Sequence, residues 1–304
     1  MRIGIFLGDS GAPDPLDDLV ARARRAAEDG FPSIWVPHMF GLDALIALAV
    51  VGREVPDIEV GTAVIPTYPR HPLLMAQQAL TTQAATGGRL ALGIGLSHKV
   101  VIETMLGYSY DRPARHMREY LQVLLPALRQ ETVDVDGDTL RAHGAITVGG
   151  AAPCPVLLAA MGPRMLRLAG GVADGTVTWM TGVRTVADHI VPALTAAATE
   201  AGRPSPRVVV GLPICVTDDV EGVRRRAARA FALYGQLPAY RAMLDREGAE
   251  GPAEVVVCGD EASVREQLDA LEDAGTTEFL ASEFGGSDEE RERTRALLSA
   301  WGGA

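Results

Sequence analysis

Residues 155–179 read PVLLAAMGPRMLRLAGGVADGTVTW, and this stretch decides the fold. Its pattern predicts a buried strand over 156–160, a tight turn over 161–163, a short helix from Arg164 and a second buried strand over 176–179. Both strands are apolar on both faces, which is typical of parallel strands covered by helices. The stretch is therefore interpreted as one strand-turn-helix-strand unit of an α/β protein.

The turn of this unit has the chemistry of an anion site. Gly162 lets backbone come close to a ligand, and Pro163 suits the first turn of a helix, where a missing N–H costs nothing. The remaining N–H groups and the positive end of the helix dipole, with Arg164 beside them, favour a phosphate. The alternative is an ordinary connection between a strand and a helix.

Length and composition set limits on the class of protein. The chain has 304 residues, 47% of them hydrophobic, enough for one large core. No apolar run reaches the length of about 18 residues that a membrane span needs, and MRIGIFLGDS starts as a strand, so a cytoplasmic protein without a membrane partner is expected. The net charge of −11 argues against a nucleic-acid partner.

The three cysteines do not suggest a disulfide or metal site. Cys154, Cys215 and Cys258 are odd in number, widely spaced and flanked by apolar residues or proline. No metal-type pair of histidines accompanies them. We expect inert thiols and no bound metal.

Strand and helix patterns alternate outward from the central unit. Eight principal strands are predicted, starting near residues 3, 33, 58, 90, 156, 176, 207 and 278. This count in about 300 residues predicts a (β/α)8 TIM barrel. A doubly wound sheet is the rival, but the first turn, GDSGAPDP, lacks its glycine fingerprint.

Three further features of the chain are predicted. Residues 132–149 alternate and contain Asp136-Gly137, a hairpin signal, so we expect a hairpin excursion within a single domain over residues 1–304. A long polar-faced helix is predicted from 220 to about 246. A capping box of Ser287 and Glu290 is predicted to open the last helix.

In a barrel of this kind, function lies at the carboxyl ends of the strands. Those ends supply 7–9, 37–40, 65–68, 96–99, 161–165 and 179–180. A single histidine is usually structural, but His38 and His98 stand at matching strand ends. Both are therefore candidates for moving a proton near neutral pH.

Four ordered segments resemble a known family. They are SIWVPH (33–38), VGTAVIPTYPRHP (60–72), GGRLALGIGLSH (87–98) and AAMGPRMLRLAGGVADG (159–175). Together they resemble the bacterial luciferase-like superfamily and, within it, the oxidoreductases that use the deazaflavin coenzyme F420. The likeness runs in order over nearly the whole chain.

The resemblance implies a luciferase-like barrel with the deazaflavin ring in its mouth. The ring would pack on a third-strand bulge with a non-prolyl cis peptide, here Ala63-Val64. The phosphate-bearing tail would follow the turn after the fifth strand, formed by Ala159, Ala160, Met161, Gly162, Pro163, Arg164 and Met165. His38 falls where F420-dependent sugar-phosphate dehydrogenases carry a histidine thought to transfer a proton.

Two departures from those dehydrogenases put a sugar substrate in doubt. The aspartate common before that histidine is Pro37 here, and a position that is glutamate in them is His98. We therefore expect hydride transfer between the deazaflavin C5 and a small organic substrate, with reduction of a C=C or C=N bond. His98 or His38 would move the accompanying proton.

The substrate wall is assigned to four residues at the rim. They are Asp9, Phe40, Tyr68 and Trp179. Packing at the barrel rim is an equal explanation for the aromatic members. The resemblance also implies a homodimer.

Three alternatives stay open. An FMN-dependent monooxygenase of the same superfamily would also place a phosphate at the fifth-strand turn, although the AAMGPRM sequence favours F420. A non-catalytic flavin-binding barrel is a further possibility. A Schiff-base aldolase using Lys99, the sole lysine, is the weakest, because this lysine follows its strand by several residues.

Overall fold

Eight parallel strands close into a barrel in the computed structural model, which describes residues 1–8 and 10–301. The barrel strands are β1 (Arg2–Phe6), β2 (Ser33–Val36), β3 (Glu59–Thr62) with its continuation β4 (Ile65–Pro66), β5 (Leu90–Gly95), β8 (Val156–Leu158), β9 (Gly175–Trp179), β10 (Arg207–Val216) and β12 (Glu278–Glu283). The pairing of β9 with β10 closes the ring. The predicted (β/α)8 TIM barrel is confirmed.

Three further strands lie outside the ring. Strands β6 (Val133–Asp136) and β7 (Arg141–Gly144) form an antiparallel hairpin within the predicted excursion. Strand β11 (Val257–Gly259) pairs with the carboxyl end of β10. The carboxylate of Glu119 accepts hydrogen bonds from the backbone N–H and hydroxyl of Thr139, at 2.7 and 2.6 Å, and so fixes the hairpin turn.

Helices connect the strands and cover the barrel. They are α1 (Pro15–Glu28), α2 (Ala44–Glu54), α3 (Pro72–Ala85), α4 (Pro113–Leu128), α5 (Pro163–Gly171), α6 (Val183–Thr185), α7 (Val191–Glu200), α8 (Val220–Ala230), α9 (Pro238–Glu247), α10 (Glu261–Asp273) and α11 (Asp288–Trp301). Single π-helical turns lie at Val101–Met105 and Val186–Ile190. A 3-10 turn covers Pro252–Val255.

The predicted long helix from 220 to about 246 is wrong. It is two helices, α8 and α9, joined by turns over 231–237. Pro238 has no backbone N–H and disfavours helical dihedrals at the residue before it, so Leu237 is extended, with φ −76° and ψ 125°.

The structure refines two other local predictions. The third predicted strand, starting near 58, is divided into β3 and β4 by the cis peptide between Ala63 and Val64, as the resemblance implied. At the last helix Ser287 accepts from the Glu290 N–H as predicted, but the Glu290 carboxylate accepts from the Gly286 N–H, one residue before the expected donor. The capping box is therefore only half formed.

An ion-pair network closes the amino-terminal end of the barrel. Arg207 lies 2.6 Å from Glu278 and 2.7 Å from Glu59, and the fully buried Glu278 also accepts from Ser33 and from the Trp35 indole. Above it the barrel interior is apolar and packed, with Trp35, Ala91, Leu157, Val177, Val209 and Leu280 in one cluster. Space for a ligand therefore lies at the carboxyl end.

The three cysteines are free and buried, and burial raises the pKa of each thiol. In residues 1–8 and 10–301 no helix combines the length and apolar composition needed to cross a membrane. The same residues contain no cluster of three or more histidine, cysteine or carboxylate side chains arranged to hold a metal.

Candidate active site

The bulge between β3 and β4 stands at the carboxyl end of the barrel. The cis peptide that the resemblance implied is present between Ala63 and Val64, and both side chains pack with Phe6 against the apolar interior. Gly95 on β5 makes room for the bulge, because a Cβ there would lie 2.7 Å from Val64 Cγ2 and 3.0 Å from Ala159 Cβ. The bulge thus forms an apolar floor beside the fifth-strand turn.

The fifth-strand turn, which follows the fifth barrel strand β8, leads into α5 as predicted. Gly162 is the N-cap of this helix and Pro163 its first residue, and among the described residues no side chain caps the first-turn N–H groups. His189 holds the turn through a 2.8 Å hydrogen bond between its Nε2 and the Met161 carbonyl. The free N–H groups and the exposed Arg164 guanidinium suit an anion.

A cleft of about 550 Å³ lies next to this turn. Its lining residues are Leu96, Arg112, Pro113, Ala114, Arg115, Arg118, Arg164 and Met165. Four arginines thus face one space, in a chain whose net charge is −11. Such a cleft suits a polyanion.

Two of the four arginines are partly neutralised. Asp138 on the hairpin turn forms ion pairs with Arg112, at 3.3 Å, and with Arg115. Arg118 and Arg164 pair with no carboxylate in the described part of the chain. These two cations are therefore available to a ligand.

The arginines of α4 were missed from the sequence, although a signal existed. Arg112, Arg115 and Arg118 recur at every third position of RPARHMR, which places Arg115 and Arg118 on one face of α4 and Arg112 at its N-cap. Only the fold shows that this face meets Arg164, because α4 and α5 are far apart in sequence.

His38 is held at the amino terminus of α2. Its Nδ1 accepts from the Ala44 N–H at 3.1 Å, and its Nε2 lies 3.1 Å from an Arg70 guanidinium nitrogen. Arg70 in turn pairs with Asp43 at 2.7 Å. Burial and Arg70 lower the pKa of His38 against the opposing effect of Asp43. Donors face both ring nitrogens, and the lowered pKa favours the neutral ring, which has one acceptor nitrogen and can accept from only one of these donors at a time.

His98 stands at the carboxyl end of β5 and is less restrained. Its ring is half-buried and tilted against Tyr240, with centroids 5.8 Å apart. Within the described residues neither ring nitrogen has a hydrogen-bond partner. Burial lowers the pKa of His98. The imidazole can therefore exchange a proton with a ligand in the mouth.

The four predicted wall residues occupy different surroundings. Trp179 stacks on Phe6, with centroids 5.2 Å apart, inside the mouth. Phe40 is 64% exposed. Tyr68 packs under the loop after β5, stacked on Tyr110 at 5.2 Å. Asp9 lies outside the described residues.

Lys99 does not enter the mouth. Its side chain is 69% exposed and pairs with Glu103 at 3.7 Å on the helical turn that follows β5. This placement gives no support to a Schiff-base role, because that role needs a lysine whose pKa is lowered by burial or by a neighbouring cation.

A buried histidine that the sequence did not suggest supports this side of the rim. His116 of α4 stacks on Tyr68 with centroids 4.0 Å apart and an interplanar angle of 4°, and its Nε2 lies 3.1 Å from Thr67 Oγ1. Burial lowers the pKa of His116 to about 4. The ring is neutral and structural at physiological pH.

Comparison with known proteins agrees with this arrangement. The sequence profile of the luciferase-like monooxygenase family matches residues 1–303. A 5,10-methylenetetrahydromethanopterin reductase of Methanolobus tindarius is 27% identical over 293 residues, covering 94% of this chain and 88% of that protein.

Two solved structures share the fold. The coenzyme F420-dependent tetrahydromethanopterin reductase of Methanopyrus kandleri superposes with a TM-score of 0.81 at 20% identity, covering 98% of this chain and 97% of that one. The oxygenating constituent of 3,6-diketocamphane monooxygenase of Pseudomonas putida, in complex with FMN, gives 0.77 at 16% identity, covering 98% and 96%. At these identities the likeness concerns the fold alone.

The low pKa of His116 predicts a pH-dependent stability. Between about pH 6.5 and pH 4 the unfolded chain binds a proton at this residue that the folded chain excludes. The free energy of unfolding should therefore fall as the pH falls through this window, by about 3 kcal/mol from His116 alone. Urea unfolding at several pH values measures it.

His116→Gln should flatten this part of the pH profile relative to the parent protein. Gln122→Ala, which changes an exposed and non-titratable residue on the same helix, should leave the profile parallel to that of the parent. Parallel profiles for the parent and His116→Gln would contradict the assignment.

Proposed function

The chain belongs to the luciferase-like monooxygenase family and is an oxidoreductase, and we propose that it uses coenzyme F420 to reduce a C=C or C=N bond of a small organic substrate. The methanopterin reductase relatives support the choice of a reductase and of a deazaflavin. The single observation that carries the proposal is the arginine cleft beside the amino terminus of α5.

The chemistry of this cleft fits the coenzyme. F420 carries a phosphodiester and a tail of glutamyl carboxylates, so it presents several negative charges in a row. The α5 terminus and Arg164 would hold the phosphodiester, and Arg118 would face the carboxylates. FMN ends in one phosphate, which would engage Arg164 at the α5 terminus and make no use of Arg118.

The bulge at Ala63 and Val64 would support the ring system. These side chains form an apolar floor at the mouth, beside Phe6 and Gly95. When bound there, reduced F420 supplies a hydride from C5. The chain itself contributes the floor, the orientation of the tail and the exclusion of water.

We assign proton transfer to His98 and a positioning role to His38. The His98 ring nitrogens are free of partners within the described residues, whereas both nitrogens of His38 face donors. Reduction of the substrate would require a hydride at one carbon of the double bond and a proton at the other atom. The His98 imidazolium would deliver the proton to the other atom of that bond, and solvent would reprotonate the ring.

An FMN-dependent monooxygenase is the second candidate. The fold similarity to the FMN-bound monooxygenase constituent supports it, and an isolated phosphate would also suit the α5 terminus. The arginine cleft favours F420, since a single phosphate at the α5 terminus beside Arg164 would leave Arg118 without an anionic partner.

We further propose a homodimer formed through helices α2 and α3. These helices pack against each other and carry exposed apolar side chains, with Ile46 67%, Val50 37% and Leu74 54% exposed. Met39 and Phe40, 60% and 64% exposed, extend the same apolar character on the loop before α2. Such a surface suits burial against a second copy.

The arginine cleft gives a prediction for coenzyme binding. Arg118→Ala and Arg164→Ala should each weaken F420 binding by about tenfold, because each removes a charge-assisted hydrogen bond. The loss should shrink at high salt. Titration of F420 fluorescence with the purified protein measures both effects.

Two controls make this test specific. Arg167→Ala changes an exposed arginine on α5 that does not line the cleft and should leave F420 affinity unchanged. The deazaflavin riboside, which lacks phosphate and glutamates, should bind the parent and the cleft variants alike. Preference of the parent for FMN would instead favour the monooxygenase.

Proton transfer by His98 gives a pH prediction. Burial holds the pKa of His98 below its ordinary 6.5, so the protonated donor is a minor form at neutral pH. The rate of reduction should rise as the pH falls from about 7.5 toward 5.5. His98→Asn should lower kcat by about 100-fold and abolish this rise.

His38→Asn separates the two histidines. It should alter the rate through the positioning of α2 but keep the rise of kcat toward low pH. If the rise disappears in His38→Asn and persists in His98→Asn, the roles are reversed. Measurement of kcat against pH at saturating F420 distinguishes these results.

The homodimer is tested by Ile46→Glu. A carboxylate buried between two apolar faces is strongly unfavourable, so the variant should become a monomer at micromolar concentration. Size-exclusion chromatography with light scattering measures the mass. The matched control is Leu233→Glu, an equally exposed apolar residue elsewhere, which should leave the mass unchanged. A monomeric parent protein would overturn the proposal.

A further inference from the structure

The chain from the end of α8 into the first turn of α9 crosses the mouth of the barrel. We call residues 231–240 the mouth segment. Phe231 and Tyr234 contact the Trp179 ring, with centroids 6.0 and 6.4 Å apart, and Tyr240 contacts His98 at 5.8 Å. The segment therefore joins the ends of β9 and β5 from above.

The rings of the mouth segment also pack on one another. Tyr234 meets Tyr240 edge-on at 4.9 Å, and Phe231 lies 5.2 Å from Phe284, which follows β12. A continuous aromatic wall thus runs from Phe284 to Tyr240. It stands across the mouth as a surface on which a flat molecule can stack.

This wall is uncharged. Burial keeps the phenols of Tyr234 and Tyr240 protonated by raising their pKa. The Arg226 guanidinium lies over the Phe284 ring at 5.9 Å and is paired with Glu290 at 3.1 Å. The guanidinium that contacts the aromatic wall is therefore already neutralised by a carboxylate.

The charges divide the mouth into two halves. One half is the arginine cleft between α4 and α5, and the other is the aromatic wall with His98 at its edge. An anionic molecule is favoured only in the first half. A substrate in the second half gains from stacking and from neutral hydrogen-bond donors.

We infer that Tyr234 and Tyr240 determine substrate specificity, selecting a flat, uncharged molecule that carries a carbonyl or imine acceptor conjugated to its double bond. The inference rests on the proposed function and names the substrate class of that site. The substrate stacks on the rings of Tyr234 and Trp179. The Tyr240 hydroxyl donates a hydrogen bond to the acceptor, and His98 lies close to the reacting atoms.

A matched pair of probes tests the inference. Cyclohex-2-en-1-one and cyclohex-1-ene-1-carboxylate are similar in size and both conjugated, but only the second is anionic. Saturation-transfer NMR on the F420-loaded protein should give signals from the ketone and not from the carboxylate. The ketone should be reduced at least tenfold faster than the carboxylate.

Variants of the mouth segment assign the effect to named residues. Tyr234→Ala should remove most of the ketone signal. Tyr240→Phe should raise KM for the ketone about fivefold, because it removes one neutral hydrogen bond. Leu233→Ala is the matched control, since this side chain is 63% exposed on the same segment. It should change neither value.

The outcomes separate this inference from the proposed function. Absence of F420 binding by the parent protein contradicts the coenzyme assignment. Normal F420 binding with equal signals from both probes, no ketone signal, or an unchanged signal in Tyr234→Ala overturns the specificity inference alone. Loss of F420 affinity in Tyr234→Ala equal to its loss of ketone binding would also overturn it.

Discussion

Closure of eight parallel strands into one ring is the constraint on which the rest of this structure depends. Because all strands run the same way, their carboxyl ends meet on one face, whatever the lengths of the connections. His98, the fifth-strand turn and Trp179 come from distant parts of the chain and share this face for that reason alone. The opposite end is closed by Arg207, Glu278 and Glu59, so the interior cannot serve as a channel.

Local packing then shapes the open end. The bulge at Ala63 and Val64 reaches into the mouth only because β5 carries glycine opposite it, where a side chain would collide with Val64 or with the Thr62 carbonyl. Trp179 fits in the same way, since Gly211 on β10 leaves room for its indole. Small residues on one strand thus position large or functional residues on the next, and a single added methyl group would displace them.

The sequence was sufficient for the parts of the fold that depend on local pattern. The apolar strands, the α5 turn and the Asp136-Gly137 hairpin were predicted because each is encoded within a few residues. The break between α8 and α9 is hard to predict because helical periodicity continues on both sides of it. Pro238 is the local signal for the break. The arginine cleft could not be predicted, because Arg164 and the arginines of α4 meet only through tertiary packing. The aromatic contacts of the mouth segment with Trp179 and His98 could not be predicted either, because they also form only through tertiary packing.

The division of charge across the mouth favours the coenzyme in one half and the substrate in the other. In a chain of net charge −11, a polyanionic coenzyme is repelled from most of the surface, so the arginine cleft is where it is held most favourably. An anionic coenzyme fixed in that half then disfavours a second anion nearby, and the guanidinium that contacts the aromatic wall is already neutralised by a carboxylate. Because burial lowers the pKa of His98, its imidazole is mostly neutral near pH 7 and adds little charge to the substrate half. The same electrostatics that orient the coenzyme therefore favour an uncharged substrate beside it.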